Sequence, residues 1–210
     1  GAEQAGFLIP SAGRFEMAGG EFCGNAARAA ALLLSRLTGQ TESSFAMSGC
    51  PGQVLARVNW RDSSQADVTC SFIGLRAELR ATTVDLEEAR LAAAVVDLGG
   101  IVHVILDAPF PADFERQQRA VVRQLGLSNR PAVGVGWIAR AGGRVTLHPV
   151  VWVRALDTLF YETACGSGSI AAALATGSGE IVQPSGEPIC VERDGAQLAL
   201  RSRMEVLDAQ

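Results

Sequence analysis

Two stretches of this 210-residue chain place a Cys-Gly pair at the head of an alanine-rich run. They are Phe22-Cys23-Gly24-Asn25-Ala26-Ala27-Arg28 and Ala164-Cys165-Gly166-Ser167-Gly168-Ser169-Ile170. A thiol at a helix start sits beside main-chain N–H groups without intrahelical acceptors, at the positive end of the helix dipole. Both favour thiolate. Two such thiols facing each other across a cleft can act as a pair. One removes a proton from a bound carbon while the other delivers one from behind, which inverts a stereocentre. The competing reading is a pair of small buried apolar side chains, the commonest fate of free cysteine.

The elements that must position these thiols follow from periodicity. Ala26, Ala27, Ala30, Leu33, Leu34 and Leu37 keep a 3.6-residue period after Cys23, and Gly39 supplies the stop. The other faces are also mostly Ala or Leu, so this helix is expected to be enclosed by strands. The second cysteine helix stops at Gly177. Strands are predicted over 6–9, 14–17, 43–48, 53–60 and 66–72, with a hairpin turn at Arg61-Asp62-Ser63-Ser64. A short helix over 85–94, a buried strand over 101–106 and an amphipathic helix over 112–125 come next. Strands over 132–139 and 144–154 precede the second cysteine helix. Four short strands then finish the chain, with turns at Pro184-Ser185-Gly186 and Asp194-Gly195. The expected architecture is α/β (α+β), two similar halves with a cleft between them. Residues 1–84 form the half carrying Cys23, completed by a C-terminal strand over 202–210, and residues 85–201 form the half carrying Cys165.

Composition narrows the chemistry. A formal charge of −4 with scattered arginines gives no basic stripe, so nucleic acid is not an expected partner. No apolar run approaches the roughly 20 residues of a membrane span, and no signal-peptide pattern is visible, which makes the cytoplasm the expected location. Five cysteines without short paired spacing argue against a disulfide framework and against a zinc site. All 18 Lys+Arg residues are arginine. These residues therefore offer no lysine for a pyridoxal-phosphate Schiff base, and no cofactor is expected.

The two cysteine segments resemble those of the diaminopimelate epimerase-like family of cofactor-independent racemases and epimerases. Cys-Gly-Asn with Arg28 five positions after Cys23, and Ala-Cys-Gly-Ser-Gly around Cys165, carry the resemblance. Weaker similarity extends through Glu3-Gln4, Val96-Asp97-Leu98-Gly99 before His103, and Val133-Gly134-Val135-Gly136. Within that family the chain looks most like the histidine racemases that supply D-histidine for opine-type metallophores. That likeness rests on Glu3-Gln4-Ala5-Gly6-Phe7, Gly20-Glu21-Phe22-Cys23-Gly24-Asn25-Ala26, Ser48-Gly49-Cys50, and Glu162 ahead of Ala164-Cys165-Gly166-Ser167-Gly168. Arg28 follows the epimerase pattern instead. Diaminopimelate epimerase has a Glu-Arg pair where this chain has Leu156 and Asp157, and its Gly-Asn-Pro-His segment survives only as Gly100-Ile101-Val102-His103.

The resemblance implies two pseudo-symmetric halves, each a central helix wrapped by a mostly antiparallel barrel-like sheet, and a homodimer. It implies a strand and an asparagine-bearing loop upstream of Gly1. It also implies Cys23 and Cys165 as the catalytic pair of an amino-acid racemase. Main-chain N–H groups of Gly24, Asn25, Gly166 and Ser167 are placed to hold the substrate carboxylate. Glu162, Glu3 and Gln4 are candidates for the ammonium group or an imidazole, with exposed turn carboxylates as the alternative. His103 is either a cleft residue or a hydrogen-bonded core histidine. Cys50, Cys70, Cys190 and His148 are expected to be structural, and Gly166-Ser167-Gly168-Ser169 lacks the lysine of a phosphate loop. Rival readings are another epimerase on the same scaffold, a silent amino-acid or protein binder, and an isomerase with a carboxylate base.

Overall fold

The computed structural model describes residues 4–86, 89–195 and 197–207. In chain order the elements are β1 (Gly6–Ile9), β2 (Arg14–Met17), α1 (Gly24–Thr38), β3 (Glu42–Met47), β4 (Gln53–Trp60) and β5 (Gln65–Phe72). The second series is β6 (Glu78–Leu86), β7 (Ala89–Asp97), β8 (Val102–Asp107), α2 (Phe114–Gln124), β9 (Ala132–Ala141), β10 (Arg144–Val153) and β11 (Thr158–Tyr161). It closes with α3 (Gly166–Thr176), β12 (Glu180–Val182), β13 (Pro188–Asp194) and β14 (Gln197–Glu205).

Two similar halves, each a cysteine-led helix against a curving sheet, are joined edge to edge. The strand order is β1-β2-β3-β4-β5-β14-β13-β12-β10-β9-β8-β7-β6, with β11 paired to β10. Pairing is antiparallel except at β2–β3, β8–β9 and β10–β12. β14 is the seam. Its Leu198–Arg201 stretch pairs with β13 on one side, while Leu198–Glu205 pairs with β5 on the other. α1 packs on β3, β4 and β5, and α3 packs against β7 to β10 and β12 to β14.

One expected helix is a hairpin. Residues assigned to a helix over 85–94 instead form the facing ends of β6 and β7, with Leu86 opposite Ala89 and Ala93 opposite Thr82. Helix propensity lost to antiparallel pairing with one buried face. Val84, Leu86 and Ala93 pack in the cluster with Val121 and Val122 of α2, while Asp85, Ala89, Arg90 and Ala92 are exposed. Among the described residues three strands, not four, follow α3.

Enclosure also differs between the two cysteine helices. Of the expected stripe, Ala27, Ala30 and Leu34 of α1 are buried, together with Arg28, Ala31, Leu32 and Ser35, while Leu33 and Leu37 are exposed. α3 buries seven consecutive residues from Gly166 to Ala172. Both helices end on a left-handed glycine, Gly39 at φ 72° and Gly177 at φ 78°, as the sequence signals required. No helix among the described residues is long and apolar enough to cross a membrane.

Candidate functional site

Cys23 and Cys165 are the N-caps of α1 and α3. Each has an extended backbone, at φ −130°, ψ 110° and φ −142°, ψ 108°. Each sulfur accepts a main-chain N–H from three residues on, Ala26 at 3.4 Å and Gly168 at 3.3 Å. The caps meet because the helix starts abut. A Cβ on Gly166 would stand 2.9 Å from the carbonyl carbon of Gly24, and one on Gly24 would stand 3.1 Å from the Gly166 backbone. Only glycine lets the two main chains come so close. Asn25 fastens the contact, donating through Nδ2 to the Ala164 carbonyl at 2.7 Å.

A hydrogen-bonded chain joins the two thiols. Cys23 Sγ donates to Gln4 Oε1 at 2.9 Å, and Gln4 Nε2 donates to Glu162 Oε1 at 2.7 Å. The Glu162 carboxylate also hydrogen-bonds Cys165. Glu162 is 3% exposed, so this is a buried carboxylate and not a turn residue in solvent. On the far side of Cys165, Ser167 Oγ lies 3.6 Å from the sulfur and 2.9 Å from His103 Nε2. His103 is buried on the α3 side of β8, and its Nδ1 has no hydrogen-bond partner among the described residues. Gly134 makes room for the ring, since a Cβ there would lie 2.2 Å from Nδ1.

These surroundings reverse the expected bias of the helix termini. Burial pushes the Cys23 thiol up to about 12, and the negative Glu162 adds to this, against N–H groups of Ala26 and Asn25 that pull the other way. Burial also holds Cys165 well above the ordinary thiol value, again with Glu162 as a further cause. The dipole effect is present but outweighed. Burial likewise lowers His103 to about 3, leaving a neutral imidazole.

Of the residues singled out in the sequence, Gln4, Cys23, Gly24, Asn25, His103, Glu162, Cys165, Gly166 and Ser167 thus converge on one locus. Glu3 lies outside the described residues. Arg28 is buried beneath this locus and binds the Gly24 carbonyl, Asn25 Oδ1 and Ser202 Oγ. Cys70 is fully buried, Cys50 and Cys190 are half-buried, and His148 stacks on Phe110 and hydrogen-bonds Tyr161.

Two participants carried no readable signal. Gln183 accepts the Cys165 N–H at 2.9 Å and donates to Ser169 Oγ at 3.0 Å, yet lies 18 residues downstream in an ordinary strand-end context. Glu21 is 2% exposed, and one of its carboxyl oxygens has no partner among the described residues. It stood in the segment ahead of Cys23 that carries the resemblance, but nothing in that segment assigned it a role.

Two histidine racemases from strains of Fusobacterium nucleatum subsp. nucleatum are 28% identical to the chain over 174 residues. The match covers 81% of this chain but only 64% and 63% of those proteins, so the chain spans less than two thirds of their length. Among solved structures, a predicted epimerase from Pseudomonas aeruginosa is similar over 98% of this chain and 83% of its own, with a TM-score of 0.55 at 17% identity. A Bacillus anthracis phenazine biosynthesis protein of the PhzF family is similar over 89% and 76%, with a TM-score of 0.50 at 12% identity. These two share the fold. The model of the histidine racemase CntK N-terminal domain matches residues 1–201, and the chain belongs to that family.

Proposed function

We propose that the chain carries the catalytic pair of a cofactor-independent amino-acid racemase, with histidine as substrate and Cys23 and Cys165 as the two proton-transfer groups. One observation carries the reading. Two cysteine N-caps stand on abutting helix starts, and one carboxylate is linked to both. Nothing in core packing requires that combination, since a structural cysteine needs neither a facing copy nor a shared acid.

The chemistry follows from where charge develops. Removing the α-proton of an amino acid places negative charge on Cα and its carboxylate. First-turn N–H groups of α1 and α3 can face that carboxylate together, because Gly24 and Gly166 touch. The substrate ammonium pairs with Glu162, displacing Gln4 and cancelling one cause of both raised thiol pKa values. One cysteine, having given its proton to solvent as the substrate binds, then accepts the α-proton as thiolate while the other, as thiol, gives its proton to the opposite face. The roles exchange and the proton count is conserved. Gln4 bridges Cys23 and Glu162 in the closed site and must move aside for substrate, which fits a cleft that opens and closes around it.

The test is solvent exchange. Incubating the protein with L-histidine in D₂O, without pyridoxal phosphate, is expected to place deuterium at Cα and yield D-histidine. Failure of both across a panel of amino acids would overturn the racemase reading. Cys23→Ser and Cys165→Ser are each expected to abolish racemisation, and full activity in either would disprove the two-thiol mechanism.

A further inference from the structure

Glu21 is buried and half unsatisfied. Its carboxyl group accepts the main-chain N–H groups of Gly19 and of Glu21 itself, while Oε2 has no partner among the described residues and the residue is 2% exposed. Burying a carboxylate oxygen without a donor is costly, so a fold retains one where something else supplies the donor. The position is also shaped for it. A Cβ on Gly19 would fall 2.5 Å from Glu21 Oε2 and 2.4 Å from Val153 Cγ1, so any side chain there would fill the carboxylate's space.

Beside Glu21 lies a cavity of about 200 Å³ between the two halves, lined by Gln4, Glu21, Val153, Leu156, Thr158 and Phe160. Gln4 is the residue hydrogen-bonded to both Cys23 and Glu162, so the cavity adjoins the proton-transfer pair. Its wall is mixed. Val153, Leu156 and Phe160 offer apolar surface for a flat ring, and Glu21 offers an acceptor at its edge. Glu162 is already committed to the thiols and Gln4, which suits it to the ammonium at Cα and leaves Glu21 for what lies beyond Cβ.

We propose that this cavity is the side-chain subsite and that Glu21 is its specificity-determining residue, accepting an N–H from a nitrogen-bearing ring such as imidazole. The proposal rests on the racemase reading of Cys23 and Cys165 and deepens it. Burial raises the Glu21 pKa, and an incoming N–H donor offsets it by stabilising the ionised carboxylate.

Calorimetric binding of L-histidine and L-2-thienylalanine tests it, because the second ligand keeps a five-membered ring but has no N–H. The unmodified protein is expected to prefer histidine by about 10- to 100-fold, the worth of a hydrogen bond to a charged acceptor. Glu21→Leu is expected to erase that preference, and the isosteric Glu21→Gln to narrow it about 10-fold. Circular dichroism identifies the variants that keep the fold. An unchanged ratio in a folded variant, or equal binding of both ligands by the unmodified protein, overturns the proposal. Binding that depends on Glu21, in a protein that exchanges no α-proton, would sink the racemase reading and leave the subsite standing.

Discussion

Glu162→Gln separates two tasks that the carboxylate performs with opposite signs. In the free protein its charge is the second cause, after burial, of the raised pKa of Cys23 and Cys165. Two unit charges about 7 Å apart, at an effective dielectric near 20, interact by roughly 2 kcal/mol, which sets the order of magnitude of the effect of Glu162 at about a factor of 10 or more in the thiolate fraction. Removing the charge while keeping an amide of the same size is therefore expected to raise the thiolate fraction about 10-fold near pH 8. Iodoacetamide labelling of Cys23, followed peptide by peptide, reads that fraction, since burial restricts the reagent equally in both proteins. Racemisation goes the other way. Losing the ammonium partner is expected to lower kcat/KM about 30- to 100-fold. A folded Glu162→Gln protein whose Cys23 labels no faster would refute the electrostatic argument, and one with undiminished kcat/KM would refute the ammonium assignment.

Two further predictions concern the scaffold. His103 is held neutral, its pKa lowered from 6.5 to about 3 by burial, so its contribution to stability is complete above pH 6.5 and is lost as pH falls towards 3. The stability difference between the unmodified protein and His103→Gln, measured by urea unfolding, is expected to shrink by roughly 3 kcal/mol between pH 7 and pH 4; a constant difference would count against a neutral buried imidazole. Gly166→Ala places a methyl 2.9 Å from the Gly24 backbone. It should destabilise by about 1–3 kcal/mol despite alanine's helix preference, and an unchanged or raised Tm would show that the helix starts are not in contact.

What could be read from sequence were features with local causes. The cysteine caps, the glycine stops and the alternation of Val54, Ala56 and Val58 in β4 each depend on neighbours a few residues away. The hairpin at β6–β7 was misread because Leu91-Ala92-Ala93-Ala94 has strong helix propensity, and alanine on the exposed as well as the buried face leaves no apolar–polar alternation to oppose it. Leu33 and Leu37 keep helical spacing with the buried positions of α1 yet face outward, because the sheet covers the flank of Arg28 and Ser35. At the site, the hardest feature to foresee was the link between Gln4 and Glu162, which spans 158 residues. No local pattern encodes it, and only the meeting of two helix starts creates it.

The sharing of Glu162 bears on what a racemase requires. Both enantiomers must be processed, so each thiol has to serve as base in one direction and as acid in the other. Were the carboxylate to act on one thiol alone, the resting site would favour a single proton arrangement and one direction of transfer. Glu162 instead raises Cys23 and Cys165 together, and the two caps have nearly the same backbone conformation and the same N–H donor three residues on. In the proposed mechanism a substrate ammonium paired with Glu162 would therefore release both thiols at once, whichever enantiomer delivers it. What still distinguishes them is the direct Glu162 hydrogen bond to Cys165, with Ser167 and neutral His103 on that side, and Gln4 beside Cys23. Ser167 is a neutral hydroxyl that can turn from donor to acceptor as the proton changes sides.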